Sequence, residues 1–204
     1  MISINKDTKI YGSFSTNPGN NGCIFFNNKF KENNINAIYK SFYSNNIEQS
    51  VLAAKHLQFS GFAISMPFKT EVLNYVDDMD YAVKEIGAAN TIVIKDGLLK
   101  AYNTDCIALY HYLEDKKIKS LTILGNGGFS KALQYACKYL NIKYSVVLRH
   151  NFDNVPNLKG WIFNATPADV EVKGTLIDGR PFTDEGKEIA RLQAEEQYKI
   201  YING

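Results

Sequence analysis

The chain has 204 residues, of which 45% are hydrophobic and 22% are charged. This length and apolar content allow one domain or two small ones, each with a buried core. The formal net charge is only +2, from 23 basic and 21 acidic residues, and no basic stripe with interleaved aromatic residues marks a phosphate-backbone footprint. Nucleic acid is therefore not an expected partner.

The cysteines and the apolar runs indicate the compartment. Cys23, Cys106 and Cys137 form none of the close sequence pairs that metal sites or disulfide frameworks use, which favours a reducing compartment. The first ten residues lack the apolar core of a signal peptide, and no run reaches the length of a membrane span. We therefore expect a soluble cytoplasmic protein with no membrane partner and no bound metal.

Strand-like and helix-like patterns alternate through the first hundred residues. Strand patterns cover 9–14, 37–43, 61–66 and 91–94, and helical spacing covers 24–33 and 47–59. This alternation predicts β-α-β units whose helices are crossovers of a parallel sheet. The pair Asp96-Gly97 separates two strand-like runs and predicts a hairpin, and hence an antiparallel edge on a mostly parallel sheet.

A second α/β unit is predicted to begin after Asp105, so we place a domain boundary near residues 103–105. Its predicted elements are a helix at 106–116, a buried strand that ends in glycines, a helix at 129–140, a strand at 144–148, a short polar loop and a strand at 161–164. Residues 183–201 predict one long helix, capped by Thr183 or Asp184, with Ile189, Leu192, Tyr198 and Ile200 on one side.

A glycine-rich turn, GNGG, joins a predicted strand to a predicted helix. Its residues are Gly125, Asn126, Gly127 and Gly128. Glycines let the backbone approach a pyrophosphate, and the helix N-terminus offers free N–H groups, so this is the context of a dinucleotide-binding turn. Ser130 stands where the third glycine of GxGxxG would fall, and the pattern alone leaves an ordinary tight turn equally open.

Three charged residues follow predicted strands. Arg149 stands near the place where an acidic residue would hold the ribose hydroxyl of NAD, and an arginine there suits the 2′-phosphate of NADP. Lys69 and Asp105 also lie just beyond apolar strands, where ligands of open α/β sheets gather. A lysine near a carboxylate can pass a proton to and from an alcohol. Taken singly, all three are typical surface charges.

In combination, these features resemble the shikimate dehydrogenase family. The matching blocks occur in the family's order over most of the chain: GFAISMPFK (61–69), IGAANT (86–91), NTD (103–105), GNGGFSKA (125–132), NATP (164–167) and GKEIARLQAEEQY (186–198). The lysine block, the GAxNT block and the NTD block are highly specific when they occur together.

The resemblance implies a two-domain α/β enzyme that reversibly reduces 3-dehydroshikimate to shikimate with NADPH, with NAD as a possible cofactor. Residues 1–104, joined by the helix at 184–204, would form a substrate-binding domain with a mostly parallel sheet. Residues 105–183 would form a shortened Rossmann-like NADP-binding domain, and a small carboxylated ring would bind in the cleft between the domains. The protein would be a monomer or a homodimer.

The resemblance also implies roles for single residues in binding the substrate. Lys69 and Asp105 match the catalytic lysine and its partner carboxylate, which hold the reacting hydroxyl and relay its proton. Asn90 matches an asparagine that binds ring hydroxyls, Ser65 replaces a family threonine, and Gln193 matches a glutamine that the last helix returns to the cleft. Without the resemblance, turn formation, strand-end capping and an exposed helix face would explain the last three.

For the cofactor, the resemblance adds residues of the NATP block to the glycine turn. Asn164 and Thr166 would contact the nucleotide together with the turn and Arg149. Segments 149–161 and 167–186 are much shorter than is usual in the family, so we expect some strands and a helix of this domain to be missing. Such a loss leaves open a non-catalytic binding module that retains the fold.

The clearest departure from the family lies near the N-terminus. There the family carries an SxSPxxHN motif whose two serines grip the substrate carboxylate, and this chain has Asn20 and Gly22 at the serine positions. Ser13 and Ser15 lie just upstream and could supply hydroxyls instead. The departure leaves quinate or another hydroxy acid open as the substrate.

Overall fold

Residues 4–203, the part of the chain that the computed structural model describes, form two β-sheets flanked by helices. Contacts cluster into two units, the first ending at Thr104 and resuming at Ala194, and the second covering Asp105–Gln193. The division falls beside the predicted boundary. The last helix differs from the prediction, since only its second half clusters with the first unit.

The first unit is built on a six-stranded sheet. Its strands are β1 (Lys9–Ser15), β2 (Ala37–Tyr43), β3 (Gly61–Ile64), β4 (Asp78–Met79), β5 (Thr91–Lys95) and β6 (Leu98–Tyr102), in the spatial order β2-β1-β3-β5-β6-β4. Its helices are α1 (Asn21–Glu32), α2 (Ile47–His56), a 3-10 turn (Glu71–Tyr75) and α3 (Tyr81–Ile86). The predicted strands and crossover helices are present within a few residues of their predicted bounds.

The hairpin predicted at Asp96-Gly97 joins β5 to β6 in antiparallel register. Both turn residues have positive φ, 51° and 77°, which a two-residue hairpin turn requires. β1 is parallel to β2 and β3, so the mixed, mostly parallel sheet is confirmed. The hairpin is not the edge, however, because the two-residue strand β4 pairs with β6 beyond it. A strand of two residues is too short to show the alternation of apolar and polar residues by which a strand is identified in a sequence.

The sequence analysis missed two short elements, helix α3 and the 3-10 turn at Glu71–Tyr75. Capping residues hold α3, and a buried side chain holds the 3-10 turn. The Asp80 carboxylate accepts from the Val83 N–H at 2.7 Å and begins α3, and Gly87 ends it with φ 68°. The 3-10 turn buries Val72 completely. Neither element is long enough to show a helical period, which explains the omission.

One aromatic cluster packs α1 and the end of the last helix against the first sheet. Tyr201 packs on Tyr11 and Phe26, with ring centroids 4.6 and 5.6 Å apart. The Tyr11 hydroxyl donates to the Tyr201 carbonyl at 3.1 Å. The Tyr201 hydroxyl is buried and has no hydrogen-bond partner among the described residues.

The Tyr11 hydroxyl makes a hydrogen bond, and the Tyr201 hydroxyl has no partner among the described residues. We therefore expect removal of the two hydroxyls to have different effects on the free energy of unfolding. Tyr201→Phe removes a buried hydroxyl that makes no bond, so we expect the free energy of unfolding to stay unchanged or to rise by up to about 1 kcal/mol. Tyr11→Phe removes a made bond and should lower it by about 1 kcal/mol. Urea unfolding of both variants measures this, and a larger loss in Tyr201→Phe than in Tyr11→Phe would contradict it.

The second unit is built on a four-stranded parallel sheet. Its strands are β7 (Ser120–Leu124), β8 (Lys143–Val147), β9 (Trp161–Asn164) and β10 (Thr175–Asp178), in the spatial order β10-β9-β7-β8. Its helices are α4 (Thr104–Glu114), α5 (Gly128–Tyr139) and a 3-10 segment (Arg149–Asn157), and α6 (Asp184–Asn203) continues into the first unit. Six strands would complete a full dinucleotide-binding sheet. The described residues supply four of them.

Some details of the second unit differ from the sequence prediction. β10 was missed, and the predicted polar loop after β8 is a 3-10 segment. Of the two predicted caps of α6, Thr183 is confirmed, because its hydroxyl accepts from the Gly186 N–H at 3.1 Å. The fully buried positions of α6 include Gln197, a polar residue, while the predicted apolar positions after Ile189 are only partly buried.

The cysteines differ in burial. Cys137 is fully buried on α5, and burial raises the pKa of its thiol to about 12. Cys23 is only partly buried. Because the thiolate is the reactive form, we expect an alkylating reagent to modify Cys23 in the folded protein and to reach Cys137 only after unfolding. Peptide mass spectrometry checks this, and equal native labelling rates would contradict it.

Two features are absent from residues 4–203, the part of the chain that the structure describes. No helix combines the length and hydropathy of a membrane span. No group of three or more His, Cys, Asp or Glu side chains is arranged to hold a metal ion.

Candidate functional site

The carboxyl ends of β1 and β3 meet the amino end of β5 at one end of the first sheet. Three backbone hydrogen bonds join these segments: Ser65 N–H to the Phe14 carbonyl (3.2 Å), Ile64 N–H to the Asn90 carbonyl (2.8 Å) and Ala89 N–H to the Lys69 carbonyl (2.7 Å). The structure therefore brings the backbones of Ser65, Lys69 and Asn90 to one sheet end.

The side chains at this sheet end differ in exposure. Ser65 is exposed, Lys69 is partly buried, and Asn90 is buried with 3% exposure. Phe68, directly before Lys69, is buried in the core and anchors the turn that follows β3. Lys69 is thus held on a fixed turn at the strand end, where it can meet a ligand.

Asn90 has a structural task at this site. Its Oδ1 accepts from the Thr104 N–H at 2.8 Å and from the Thr91 hydroxyl at 2.9 Å, and its Nδ2 donates to the Thr104 hydroxyl at 3.0 Å. Asn103 adds a bond from its Nδ2 to the Ala88 carbonyl at 2.8 Å. These bonds fix the Asn103-Thr104 turn, which leads into Asp105, itself 5% exposed.

The last helix contributes a glutamine that the sequence analysis did not single out. Gln197 is 2% exposed and donates through Nε2 to the Thr91 hydroxyl at 2.8 Å. Gln193, the predicted substrate residue, lies one turn earlier, is partly buried and clusters with the second unit. The spacing of Gln197 from Ile189 and Tyr201, in steps of four or eight residues, is the signal that could have identified it.

The region of the missing serine motif is occupied by a tyrosine. A Cβ on Gly22 would lie 3.0 Å from the Tyr39 ring and 3.3 Å from its hydroxyl. Tyr39 is hydrogen-bonded to Ser13, and burial raises the pKa of its phenol. Ser15 is buried on the same face of β1, two residues beyond Ser13, and Asn20 is exposed. A serine at position 22 would therefore need Tyr39 to shift.

In the second unit, the glycine turn connects β7 to α5. Gly125 has φ 93°, a conformation that favours glycine, and Gly127 precedes the first residue of α5. No side chain caps this end of α5, and its first turn contains no acidic residue. Unmet N–H groups and the positive end of the helix dipole suit a phosphate group.

Ser130 explains the departure from the glycine fingerprint. The residue is fully buried, and its hydroxyl donates to the Gly125 carbonyl at 2.7 Å. Gln134 Nε2 also donates to Asn126 Oδ1 at 3.0 Å. The serine therefore closes the turn from inside, and the turn keeps its shape without a third glycine.

The loop after β9 lies against the glycine turn. The Ala165 N–H donates to the Leu124 carbonyl at 3.1 Å, and a Cβ on Gly125 would lie only 2.6 Å from Cγ2 of Thr166. Asn164 is fully buried, accepts from the Thr166 hydroxyl at 2.7 Å and donates to the Ala168 carbonyl at 2.9 Å. Asn164 therefore shapes this loop from within.

Arg149 is the last of the predicted cofactor residues. It is exposed at the start of the 3-10 segment, two residues after β8 ends. The Gly125 N–H donates to the Val147 carbonyl at 2.9 Å, which places the end of β8 beside the glycine turn. β7 lies between β8 and β9, so these loops surround the switch point of the sheet, where open α/β folds bind ligands.

Comparison with known proteins extends these observations. Residues 22–92 match the shikimate dehydrogenase substrate binding domain. A shikimate dehydrogenase-like protein of Haemophilus influenzae is 37% identical over 138 residues, which are 66% of this chain and 51% of that protein. A shikimate dehydrogenase (NADP(+)) of Methanosphaera stadtmanae is 35% identical over 137 residues, 65% of this chain and 48% of that protein. The chain thus spans about half the length of these curated relatives.

A solved structure matches over nearly the whole chain. A shikimate 5-dehydrogenase-like protein superposes with a TM-score of 0.80 at 26% identity, covering 99% of this chain and 94% of that one. The predicted class, an α/β protein with two units and a Rossmann-like second sheet, is confirmed. The chain is similar to the shikimate dehydrogenases, and residues 22–92 match their substrate binding domain, so the resemblance drawn from the sequence is confirmed as well.

Proposed function

We propose that this protein is an NADP-dependent shikimate dehydrogenase, which reversibly reduces 3-dehydroshikimate to shikimate. One observation carries the proposal. The segment that matches the substrate binding domain carries Lys69 on a fixed turn, and the same chain has an uncapped glycine turn at the switch point of a parallel sheet. The cofactor assignment is supported by the name of the Methanosphaera stadtmanae relative.

Lys69 and Asp105 would carry the proton chemistry. When bound, NADP would supply the hydride acceptor for the carbon that bears the reacting hydroxyl. In that direction Lys69 would take the hydroxyl proton, and Asp105 would orient the hydroxyl and offset the charge that develops. In the reverse direction the lysine returns the proton to the new alkoxide oxygen. No atom is left over, because the hydride and the proton together account for the two hydrogens removed.

The remaining predicted residues would orient the two ligands. Ser65 and Gln193 would bind ring hydroxyls, and Ser13 and Ser15 are the candidates for the carboxylate. Asn90 would act mainly by holding the Asn103-Thr104 turn. Orientation of the carbinol carbon toward the hydride acceptor is the main catalytic requirement for such a reaction.

On the cofactor side, the backbone of Gly125, Gly127 and Gly128 would approach the pyrophosphate, with Asn126 fixed beside it. Thr166 would face the nucleotide from the neighbouring loop, and Asn164 would hold that loop in shape. Arg149 would pair with the 2′-phosphate, which favours NADP over NAD.

A second candidate keeps the chemistry and changes the substrate to quinate or another hydroxy acid. The observation that favours it is that Gly22 stands at a serine position of the family motif, where a side chain would lie 3.0 Å from the Tyr39 ring. A ring with a different carboxylate position would then fit better than shikimate.

A substrate panel tests the proposal. Purified protein is incubated with NADP and either shikimate or quinate, and the absorbance of the reduced cofactor is followed. We expect kcat/KM for shikimate to exceed that for quinate by at least about tenfold. A preference for quinate would support the second candidate, and absence of turnover together with absence of NADPH binding would support a non-catalytic module.

A further inference from the structure

A buried ion pair lies at the end of β10, beside the proposed cofactor site. The Arg180 guanidinium donates from Nε to both oxygens of Asp178, at 3.0 and 2.9 Å, and from Nη2 to Oδ2 at 2.6 Å. The side chains of Arg180 and Asp178 are 13% and 9% exposed. A buried carboxylate needs such a partner, since an unpaired charge in the interior is strongly unfavourable.

Arg180 has a second partner on a different loop. Its Nη2 donates to Asp169 Oδ1 at 2.8 Å, and Asp169 is 90% exposed. Asp169 lies two residues after the NATP block, so the contact fastens the far end of the loop that leaves β9. The arginine therefore bridges the ends of two neighbouring strands.

The near end of the same loop is fastened through Asp178. Asn164 Nδ2 lies 3.4 Å from Asp178 Oδ1, and Asn164 Oδ1 accepts from the N–H and the hydroxyl of Thr166, at 3.1 and 2.7 Å. Thr166 in turn packs on Gly125. A chain of contacts thus runs from the arginine to the glycine turn.

We propose that Arg180 is a positioning residue for the dinucleotide-binding turn, acting through Asp178 and Asn164 at one end of the loop 165–169 and through Asp169 at the other. The inference rests on the proposed function, in which this turn holds NADP. The ion pairs of Arg180 would then support the glycine turn at 125–128, in the four-stranded sheet that the described residues form.

Asp169→Asn is the sharpest variant, because it weakens the outer contact at an exposed position and leaves the buried pair intact. A purely structural role for Arg180 would leave NADPH binding unaffected by this change. We expect an NADPH titration, followed by cofactor fluorescence, to show weaker binding by about fivefold in Asp169→Asn and by about tenfold or more in Arg180→Gln, with Arg180→Lys between wild type and Arg180→Gln. Arg191→Gln, which changes an exposed arginine of α6, is the matched control and should bind as wild type does.

Hydrogen exchange of the ligand-free protein provides a readout that does not depend on NADP. We expect the amides of 125–128 and 165–169 to exchange faster in Asp169→Asn and Arg180→Gln than in Arg191→Gln, while the amides of the first sheet are unchanged. Wild-type protein that fails to bind NADPH would overturn the proposed function, and exchange would still decide the positioning role. Unchanged exchange in both loops, in variants whose far-ultraviolet spectra show them folded, would overturn the inference.

Discussion

Lys69→Ala should abolish most shikimate turnover while leaving NADPH binding unchanged. General acid-base catalysis contributes roughly 10²- to 10⁴-fold to such reactions, and we expect a loss in kcat of about 10³-fold. The effect should fall on kcat more than on KM, because the lysine acts on the proton that moves in the reaction. Lys69 belongs to the first unit and the glycine turn belongs to the second, so we expect cofactor affinity to be retained.

Steady-state kinetics and an NADPH titration check this expectation side by side. Lys95→Ala is the matched control, since Lys95 is an exposed lysine at the end of β5 and should retain wild-type turnover. If Lys69→Ala kept more than about a tenth of the wild-type kcat, the proton relay assigned to this residue would be wrong.

Gly125→Ala should strongly weaken NADPH binding and destabilise the second unit. Two effects combine, because an alanine at φ 93° is strained by about 1–2 kcal/mol and its Cβ would lie 2.6 Å from Cγ2 of Thr166. Either the turn or the neighbouring loop must shift. A displacement of about 1 Å in such a site can reduce function by about 10²-fold, and we expect a loss of this size in NADPH affinity.

Two further variants separate strain from collision. Gly97→Ala places an alanine at φ 77° in the β5–β6 hairpin, where a Cβ would meet nothing within 4 Å, so it should show the strain without loss of NADPH binding. Thr166→Ser in the Gly125→Ala background removes the colliding methyl group and should restore part of the affinity. Isothermal titration measures the NADPH affinity of both variants. Wild-type affinity in Gly125→Ala would mean that this turn does not hold the cofactor.

The sequence predicts long elements of this fold well, because they carry a readable period. Strand β2, with seven residues, begins and ends at the predicted residues, and the Asp96-Gly97 hairpin follows from turn chemistry alone. Short strands carry little or no period. β9 was identified although it has four residues, whereas β10, which also has four, and β4, which has two, were missed and are defined by the strands that pair with them.

The candidate site also has residues that the sequence singled out and supporting contacts that it could not predict. Lys69 and the glycine turn were singled out by their positions after predicted strands together with the family resemblance, because taken singly they are typical of a surface charge and an ordinary turn. The supporting contacts could not be read from spacing, since they depend on which loops become neighbours. Gln197 reaches Thr91 across more than a hundred residues of sequence, and Arg180 joins two loops that only the strand order brings together. Ser130, which looked like a defect in the glycine pattern, is a buried donor that closes the turn.

Transfer of a labelled hydride would show whether the protein is a shikimate dehydrogenase. The purified protein is incubated with NADP and shikimate that carries deuterium on the carbon bearing the 3-hydroxyl, and the cofactor is recovered for mass spectrometry. We expect NADPH that carries the deuterium, formed together with 3-dehydroshikimate. Unlabelled NADPH, or no reduced cofactor at enzyme concentrations comparable to that of the substrate, would contradict it.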